Sequence, residues 1–360
     1  VDKQENNMKK ITIIKIGSNV LVDDTGSIRN DILENILLSV GNKIKQGEKI
    51  ILVSSGAIAV GKRIFSEEVD KRLSASLGQM RLMSSYLKIG EKLDLKVSEL
   101  LLSRPYLVKR ELFLQLQKTI DIMLQKNVVP IVNENDALVV GSDWSFGDND
   151  SLASALAIAF SADKLLILSS VDGLYKTDPT KDESAELIKK VENVNAELMK
   201  YCSKDTSTFG RGGMISKLKT IRLCTSVGIE TQIINGLKKE QIAQALNNEE
   251  VGTIFSARKM KEDIKNRDRW ILAAKSSAAS IGLDDGAVEA LSQGKSLLAV
   301  GIKKIFGEFN SSEIVELVNF KKEGIAFGVV DIDSKVLEQD DFKNQKGVQV
   351  MHADNIMVFA

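Results

Sequence analysis

With only one histidine, His352, in 360 residues, the chain lacks the means for much familiar enzyme chemistry. That count excludes a His-ligated zinc cluster and argues against a Ser-His-Asp triad. Cysteine is nearly as scarce. Cys202 and Cys224 are isolated, which fits a reducing cytoplasm better than a disulfide framework. Charge of one sign is also missing: Lys+Arg and Asp+Glu number 49 each, so no global field marks a nucleic-acid or membrane partner. No apolar run approaches the roughly 18–20 residues of a membrane span. The opening "VDKQENN" is polar and has no hydrophobic signal core, so residues 1–8 read as a disordered lead or an appended remnant. Chemistry is left to Lys, Asp, Asn, Ser and backbone amides.

What is present is a repeated strand-and-helix texture. "KITIIKIG" (10–17), "KIILVSSGAIAVG" (49–61), "LKVSELLLS" (95–103), "VVPIVNEND" (128–136), "KLLILSSVDGLY" (164–175) and "IETQIING" (229–236) each begin as an apolar strand and reach glycine or polar residues. Between them, residues 31–46, 71–91, 110–126, 150–161 and 213–227 carry apolar positions at three- and four-residue spacing, the helical period. Strands without internal alternation, each followed by a helix, predict a mostly parallel sheet covered on both faces. Residues 9–256 are therefore assigned to a three-layer αβα sandwich. Ligands bind such sheets beyond the carboxyl ends of the strands. The polar tips KIGSN, SSGA, NEND and SSVDG all fall at that edge.

Residues 257–272 form a charged segment that reads as a linker. Residues 273–360 are short strands spaced by glycines, the pattern of a small, mostly β barrel. With 43% hydrophobic residues, the chain has the apolar content of an ordinary two-domain globular protein.

Four stretches carry candidate chemistry. Lys15 lies just inside the first strand, before Gly17. A buried lysine is costly unless it meets an anion, and the glycine lets backbone amides approach that anion; a snorkelling strand-end lysine is the plainer alternative. Ser54-Ser55-Gly56-Ala57 opens a helix and reads either as an anion site or as a serine cap. "FGRGGMISK" (209–217) is a glycine loop running into a helix with Lys217 one turn inside, suited to a lid over polyphosphate or to a mere connection. It is not a Walker A loop. The fourth feature is a pair of acidic-amide clusters, "NEND" (133–136) and "GDND" (147–150). Clustered carboxylates need cations, supplied by Lys15, Lys217, Mg²⁺ or a substrate ammonium. Asn133, Asn135 and Asn149 add neutral donors able to grip a carboxylate. Two lysines, orienting carboxylates and amides describe phosphoryl transfer, and no strong base is required if the acceptor is already an anion.

In order and register, "IIKIGSNVL", "ILVSSGAIAVG", "VVPIVNENDA", "FGDNDSLASALAIAFSADKLLILSSVDGLYKTDP" and "GRGGMISKL" resemble the glutamate 5-kinases, a family within the amino acid kinase superfamily. The tail, with "GKSLLAVGIKKIFGEF" and "GIAFGVVDIDS", resembles the PUA domain that many members carry. The resemblance implies ATP-dependent phosphorylation of the L-glutamate side-chain carboxylate, the first step of proline synthesis. It further implies feedback inhibition by proline, Mg²⁺ bound through the ATP phosphates rather than by protein ligands, and a homo-oligomer, dimer or tetramer. By motif, Lys15, Lys217 and Asp150 would be catalytic, with Asp150 holding the two lysines. Ser55, Gly56, Asn133, Asp136 and Asn149 would bind glutamate. Lys15, Gly17, Ser169, Ser170 and the run Arg211, Gly212, Gly213, Met214, Ile215, Ser216, Lys217 would bind ATP. Two positions depart from the pattern. Ser169-Ser170 stands where Thr-Asp is usual, losing a carboxylate near the nucleotide. Arg211 stands where the family has a small residue, and it reads as solvent-facing as readily as phosphate-facing.

PUA domains elsewhere bind RNA, but residues 273–360 hold nine Lys, no Arg and thirteen Asp or Glu. A net-acidic module is poorly equipped to neutralise phosphates, which argues against RNA as a partner. The rival readings are an aspartate or N-acetylglutamate kinase, and an RNA-binding protein with a degenerate kinase domain.

Overall fold

The computed structural model describes residues 10–65, 67–142, 144–177, 179, 182, 184–194, 198, 214–258, 266–273, 279–311, 313–321, 324–339 and 347–358. The chain divides into two compact units, Val1–Tyr106 with Leu114–Asp263, and Leu107–Phe113 with Ile264–Ala360.

Eight strands of the first unit make one sheet: β1 (Ile11–Ile16), β2 (Lys49–Val53), β3 (Val97–Leu102), β4 (Val129–Glu134), β5 (Lys164–Ser169), β6 (Lys190–Val191), β7 (Glu230–Asn235) and β8 (Thr253–Phe255). Their spatial order is β3-β4-β2-β1-β5-β7-β8-β6. The first six in that order run parallel; they are the six apolar runs of the sequence. β8 is antiparallel to β7, and β6 pairs parallel with β8. Every residue of β4 is buried, and all but the first or last residue of β1, β2 and β5. Burial on both faces explains why these strands show no polar alternation.

The covering helices include α1 (Asn30–Lys45), α2 (Ala57–Lys62), α3 (Lys71–Lys92), α4 (Arg110–Gln125), α5 (Asn149–Ala159), α6 (Met214–Ser226) and α7 (Lys239–Leu246). From Leu152 to Ala159, α5 is buried all round, as its apolar run predicts. α2 and α3 meet backbone to backbone. A Cβ on Gly61 would lie 1.7 Å from the Ser74 carbonyl oxygen, and one on Gly78 1.8 Å from that of Ala57. Glycine at both positions therefore sets how closely α3 lies against the short helix that follows Ser54-Ser55-Gly56.

The second unit has its own core and is mostly β. Strands β9 (Ser280–Leu283), β10 (Leu297–Leu298), β11 (Ile302–Phe306), β12 (Ile314–Val318), β13 (Gly324–Val329), β14 (Gln349–Met351) and β15 (Ile356–Val358) form a five-stranded sheet, β11-β9-β12-β13-β15, and a ribbon, β10-β14. Helices α8 (Asn266–Ala273) and α9 (Asp285–Ser292) accompany them. α8 lies in the stretch that reads as linker. Its Ile271, Leu272 and Ala273 are buried, an apolar end that the preceding charged residues conceal in sequence.

Candidate active site

The parallel strands bring their carboxyl ends to one edge, and the charged residues converge there. Lys15 is the penultimate residue of β1, Asp150 the second of α5, and Lys217 stands one turn into α6. The Lys15 Nζ lies 2.9 Å from Asp150 Oδ1, and the Lys217 Nζ donates to Asp150 Oδ2 at 2.9 Å. One carboxylate thus spans two ammonium groups. The side chains of Asp150 and Lys15 are 4% and 8% exposed, that of Lys217 18%, so the second lysine is the more open to a ligand. Burial works to raise the Asp150 pKa, but Lys15 and Lys217 together overcome it and hold the carboxyl below its usual range. Burial pulls the Lys15 pKa down, and Asp150 is the largest influence holding it up.

Asp148 caps α5, accepting from the Ser151 N–H at 2.7 Å through Oδ1. Its Oδ2 accepts from the Ser216 hydroxyl, tying the start of α5 to α6. Asp148 rather than Asn149 does the capping, and Asn149 is left for other work.

Asn149 spends its amide on three acceptors: the Ser54 carbonyl at 2.7 Å, Ser55 Oγ at 3.0 Å and Asn133 Oδ1 at 3.0 Å. Asn133 in turn donates from Nδ2 to Gln79 Oε1 at 2.9 Å, and Gln79 donates from Nε2 to Glu99. The donors expected to grip a carboxylate are therefore consumed inside the protein at Asn133 and Asn149. Helix α2 begins after Gly56, which has φ +97° and makes no side-chain cap, so the serine-cap reading of SSGA does not hold. Instead, Ser54 Oγ lies 3.0 Å from the Tyr86 hydroxyl.

Asp136 opens a single turn (Asp136–Val139) after β4 and is half-buried. Its pKa is pushed up to about 6, first by burial and then by the neighbouring Glu134 charge. Glu134 is itself buried and raised by that burial, while Oε1 accepts from the Phe146 N–H at 2.5 Å. Glu134 thereby anchors the loop that leads to GDND.

On the other side of Lys15, Ser169 ends β5 half-buried and Ser170 is exposed. The Gly17 N–H donates to the Leu168 carbonyl at 3.0 Å, and a Cβ at Gly17 would sit 3.0 Å from that same oxygen. Beyond the serines, Asp172 accepts from Asn235 Nδ2 at 3.0 Å and from the Tyr175 hydroxyl at 3.1 Å, with Lys238 Nζ 2.7 Å away. Met214 begins α6 half-buried and Ile215 continues it. Arg211, Gly212 and Gly213 lie outside the described residues.

The structure therefore joins Lys15, Asp150 and Lys217 in one cluster, and Ser55, Asn133 and Asn149 in a second beside it. Asp136, Ser169 and Ser170 stand at the same edge without a direct bond to either cluster. Sequence reasoning missed Gln79, Glu99 and Asp172. A signal existed for Gln79: it interrupts the buried stripe Ala75, Leu82, Tyr86, Ile89 of α3 in register.

Comparison with known proteins adds the following. The profile of the amino acid kinase family matches residues 10–235, and that of the PUA domain matches residues 279–353. Curated relatives named glutamate 5-kinase align with nearly the whole chain. The one from Pelagibacter ubique is 37% identical over 336 residues, covering 92% of this chain and 90% of its own. The one from Vibrio campbellii is 34% identical over 363 residues, covering 96% and 95%. The one from Geobacter metallireducens is 33% identical over 370 residues, covering 98% of each.

Proposed function

We infer that the chain, which belongs to the amino acid kinase family and within it to the glutamate 5-kinases, transfers the terminal phosphoryl group of ATP to the side-chain carboxylate of L-glutamate. The product, L-glutamyl 5-phosphate, begins proline synthesis. The observation that carries this reading is the Lys15–Asp150–Lys217 bridge at the carboxyl edge of the sheet, next to the Asn149 cluster.

The acceptor carboxylate is already a nucleophile, so no general base is needed, and catalysis reduces to positioning and charge stabilisation. Lys15 holds the ATP phosphates, Lys217 follows the migrating phosphoryl group, and Asp150 keeps both ammonium groups apart and aimed. Gly17, Ser169, Ser170 and the run from Arg211 through Lys217 cradle the nucleotide. Ser55, Gly56, Asp136 and Asn149 hold glutamate, and the buried Asn133 backs Asn149. Mg²⁺ would travel on the ATP phosphates and supply charge neutralisation there. Asp150, the carboxylate between the lysines, pairs with both ammonium groups, so its charge is already balanced by the protein.

The same reading includes inhibition by proline, a cytoplasmic location and assembly into a dimer or tetramer. Leu73, Met80 and Leu87, exposed at seven-residue spacing along α3, support assembly. Among the described residues no helix is long and apolar enough to cross a membrane. In this reading the kinase domain spans 9–256 and the PUA domain 273–360.

ADP formation measured with L-glutamate, L-aspartate and N-acetyl-L-glutamate, with and without Mg²⁺, tests this function. Turnover should require glutamate and Mg²⁺; turnover on aspartate or N-acetylglutamate alone would overturn the assignment. If Asp136 pairs with the glutamate ammonium, it must be ionised to do so. With its pKa at about 6, kcat/KM for glutamate should rise as pH increases through that value and fall below it. Asp136→Asn should lower kcat/KM and flatten this limb of the profile. A limb unchanged in the variant assigns it to another group.

A further inference from the structure

The hydrogen bonds leading away from the glutamate side of the site have a fixed direction. Glu99, exposed on the edge strand β3, is a carboxylate and can only accept. Gln79, 9% exposed on α3, turns its amide nitrogen to Glu99 and so must turn its carbonyl to Asn133. Asn133, 1% exposed on β4, then presents nitrogen to Gln79 and oxygen inward, where Oδ1 accepts from Asn149 and from the Glu134 N–H at 2.9 Å. Asn149 meets three acceptors with its nitrogen, and its Oδ1 takes part in no hydrogen bond among the described residues.

Reversing any one amide in this series sets acceptor against acceptor. With Asn149 turned over, its oxygen would face the Ser54 carbonyl and Asn133 Oδ1. With Gln79 turned over, its oxygen would face the Glu99 carboxylate. Buried polar groups arranged in this way lock one another, because each unmade bond in a low-dielectric interior is costly.

We propose that Gln79 and Glu99 are positioning residues that fix the polarity of Asn133 and Asn149, so that Asn149 offers a carbonyl oxygen to the bound amino acid and selects its ammonium group. This rests on the functional reading above. A carbonyl rewards an ammonium donor, and an amide nitrogen in its place would reward a carboxylate instead. Neither Gln79 nor Glu99 touches the substrate. They act through the two asparagines, from α3 and from the outermost strand of the sheet.

The test compares L-glutamate with glutarate, the same diacid without the ammonium group. Gln79→Met removes the acceptor for Asn133 while keeping the apolar bulk of the side chain. It should raise the glutamate KM about tenfold, with kcat and the ATP KM within about threefold, while the Ki of glutarate as a competitive inhibitor stays within about twofold. The ratio of glutarate Ki to glutamate KM therefore falls about tenfold. Glu99→Gln, on an exposed position where folding is not at stake, lets residue 79 turn and should lower the same ratio at least about threefold. An unmoved ratio in both variants overturns the proposal. Parallel loss of both acids overturns it too, since that is the result of loosened packing alone. No glutamate-dependent ADP formation in the unaltered chain would instead sink the functional reading itself, so the two failures are distinguishable.

Discussion

Lys217→Ala should lower kcat by about 10²–10³, the cost of about 2.7–4 kcal/mol expected when one donor aimed at developing charge is removed. Lys217 is the more accessible of the two lysines on Asp150, at the start of the helix that follows the glycine loop. It makes no hydrogen bond to Ser55, Asn133 or Asn149, so the glutamate KM should move less than about threefold. The effect belongs in the transition state, where negative charge passes from the nucleotide to the acceptor. Steady-state kinetics at saturating ATP separates the cases. A kcat near that of the unaltered chain, or a glutamate KM that rises as much as kcat falls, would remove Lys217 from its role.

Asp150→Asn should be as damaging and should leave a diagnostic pH profile. The substitution keeps the shape of the side chain but removes the carboxylate that bridges the two ammonium groups. Breaking a buried pair costs about 3–5 kcal/mol, and the lysines relieve part of that cost by losing a proton. Lys15 is the one to do so, because burial and the Lys217 charge already press its pKa downward and Asp150 is its chief support. The residual activity of the variant depends on charged Lys15. It should therefore be lost as pH rises through the lowered lysine pKa and recover as pH falls. We expect kcat down by about 10² or more at alkaline pH, with part regained as pH falls. A reduced rate with no pH dependence of this sign would mean that Asp150 serves some purpose other than holding Lys15 charged.

Much of the architecture could be read from sequence because its signals are local. A strand buried on both faces is a run of Ile, Leu and Val. Its end is marked by the glycine or polar residue that enters the ligand edge, as at Gly17, Ser54 and Asn133. The charged cluster was legible for a related reason: lysines and aspartates at strand tips need one another, and Asp150 meets both Lys15 and Lys217. The division of GDND was only half visible. An Asp or an Asn caps a helix equally well, and only the bond from Ser151 to Asp148 decides between them. The direction of the amides could not be read at all. Asn carries a donor and an acceptor, and which of them faces a ligand depends on the Ser54 carbonyl, on Gln79, 54 residues before Asn133 on a helix, and on Glu99 on the edge strand. The helix α8 was hidden for a different reason: its charged first half resembles a linker, while Ile271, Leu272 and Ala273 at its end are buried.

The central claim is that a substrate carboxylate oxygen attacks the phosphorus directly, with the protein supplying charge and position. L-glutamate labelled with ¹⁸O in both side-chain carboxylate oxygens, converted with ATP and Mg²⁺ and trapped with hydroxylamine, tests it most directly. Hydroxylamine attacks the acyl carbon and expels phosphate together with the bridging oxygen. The expected result is one ¹⁸O in each phosphate released, in an amount that matches the hydroxamate and the ADP formed. Hydroxamate-free ADP formation, or phosphate without label, would contradict it.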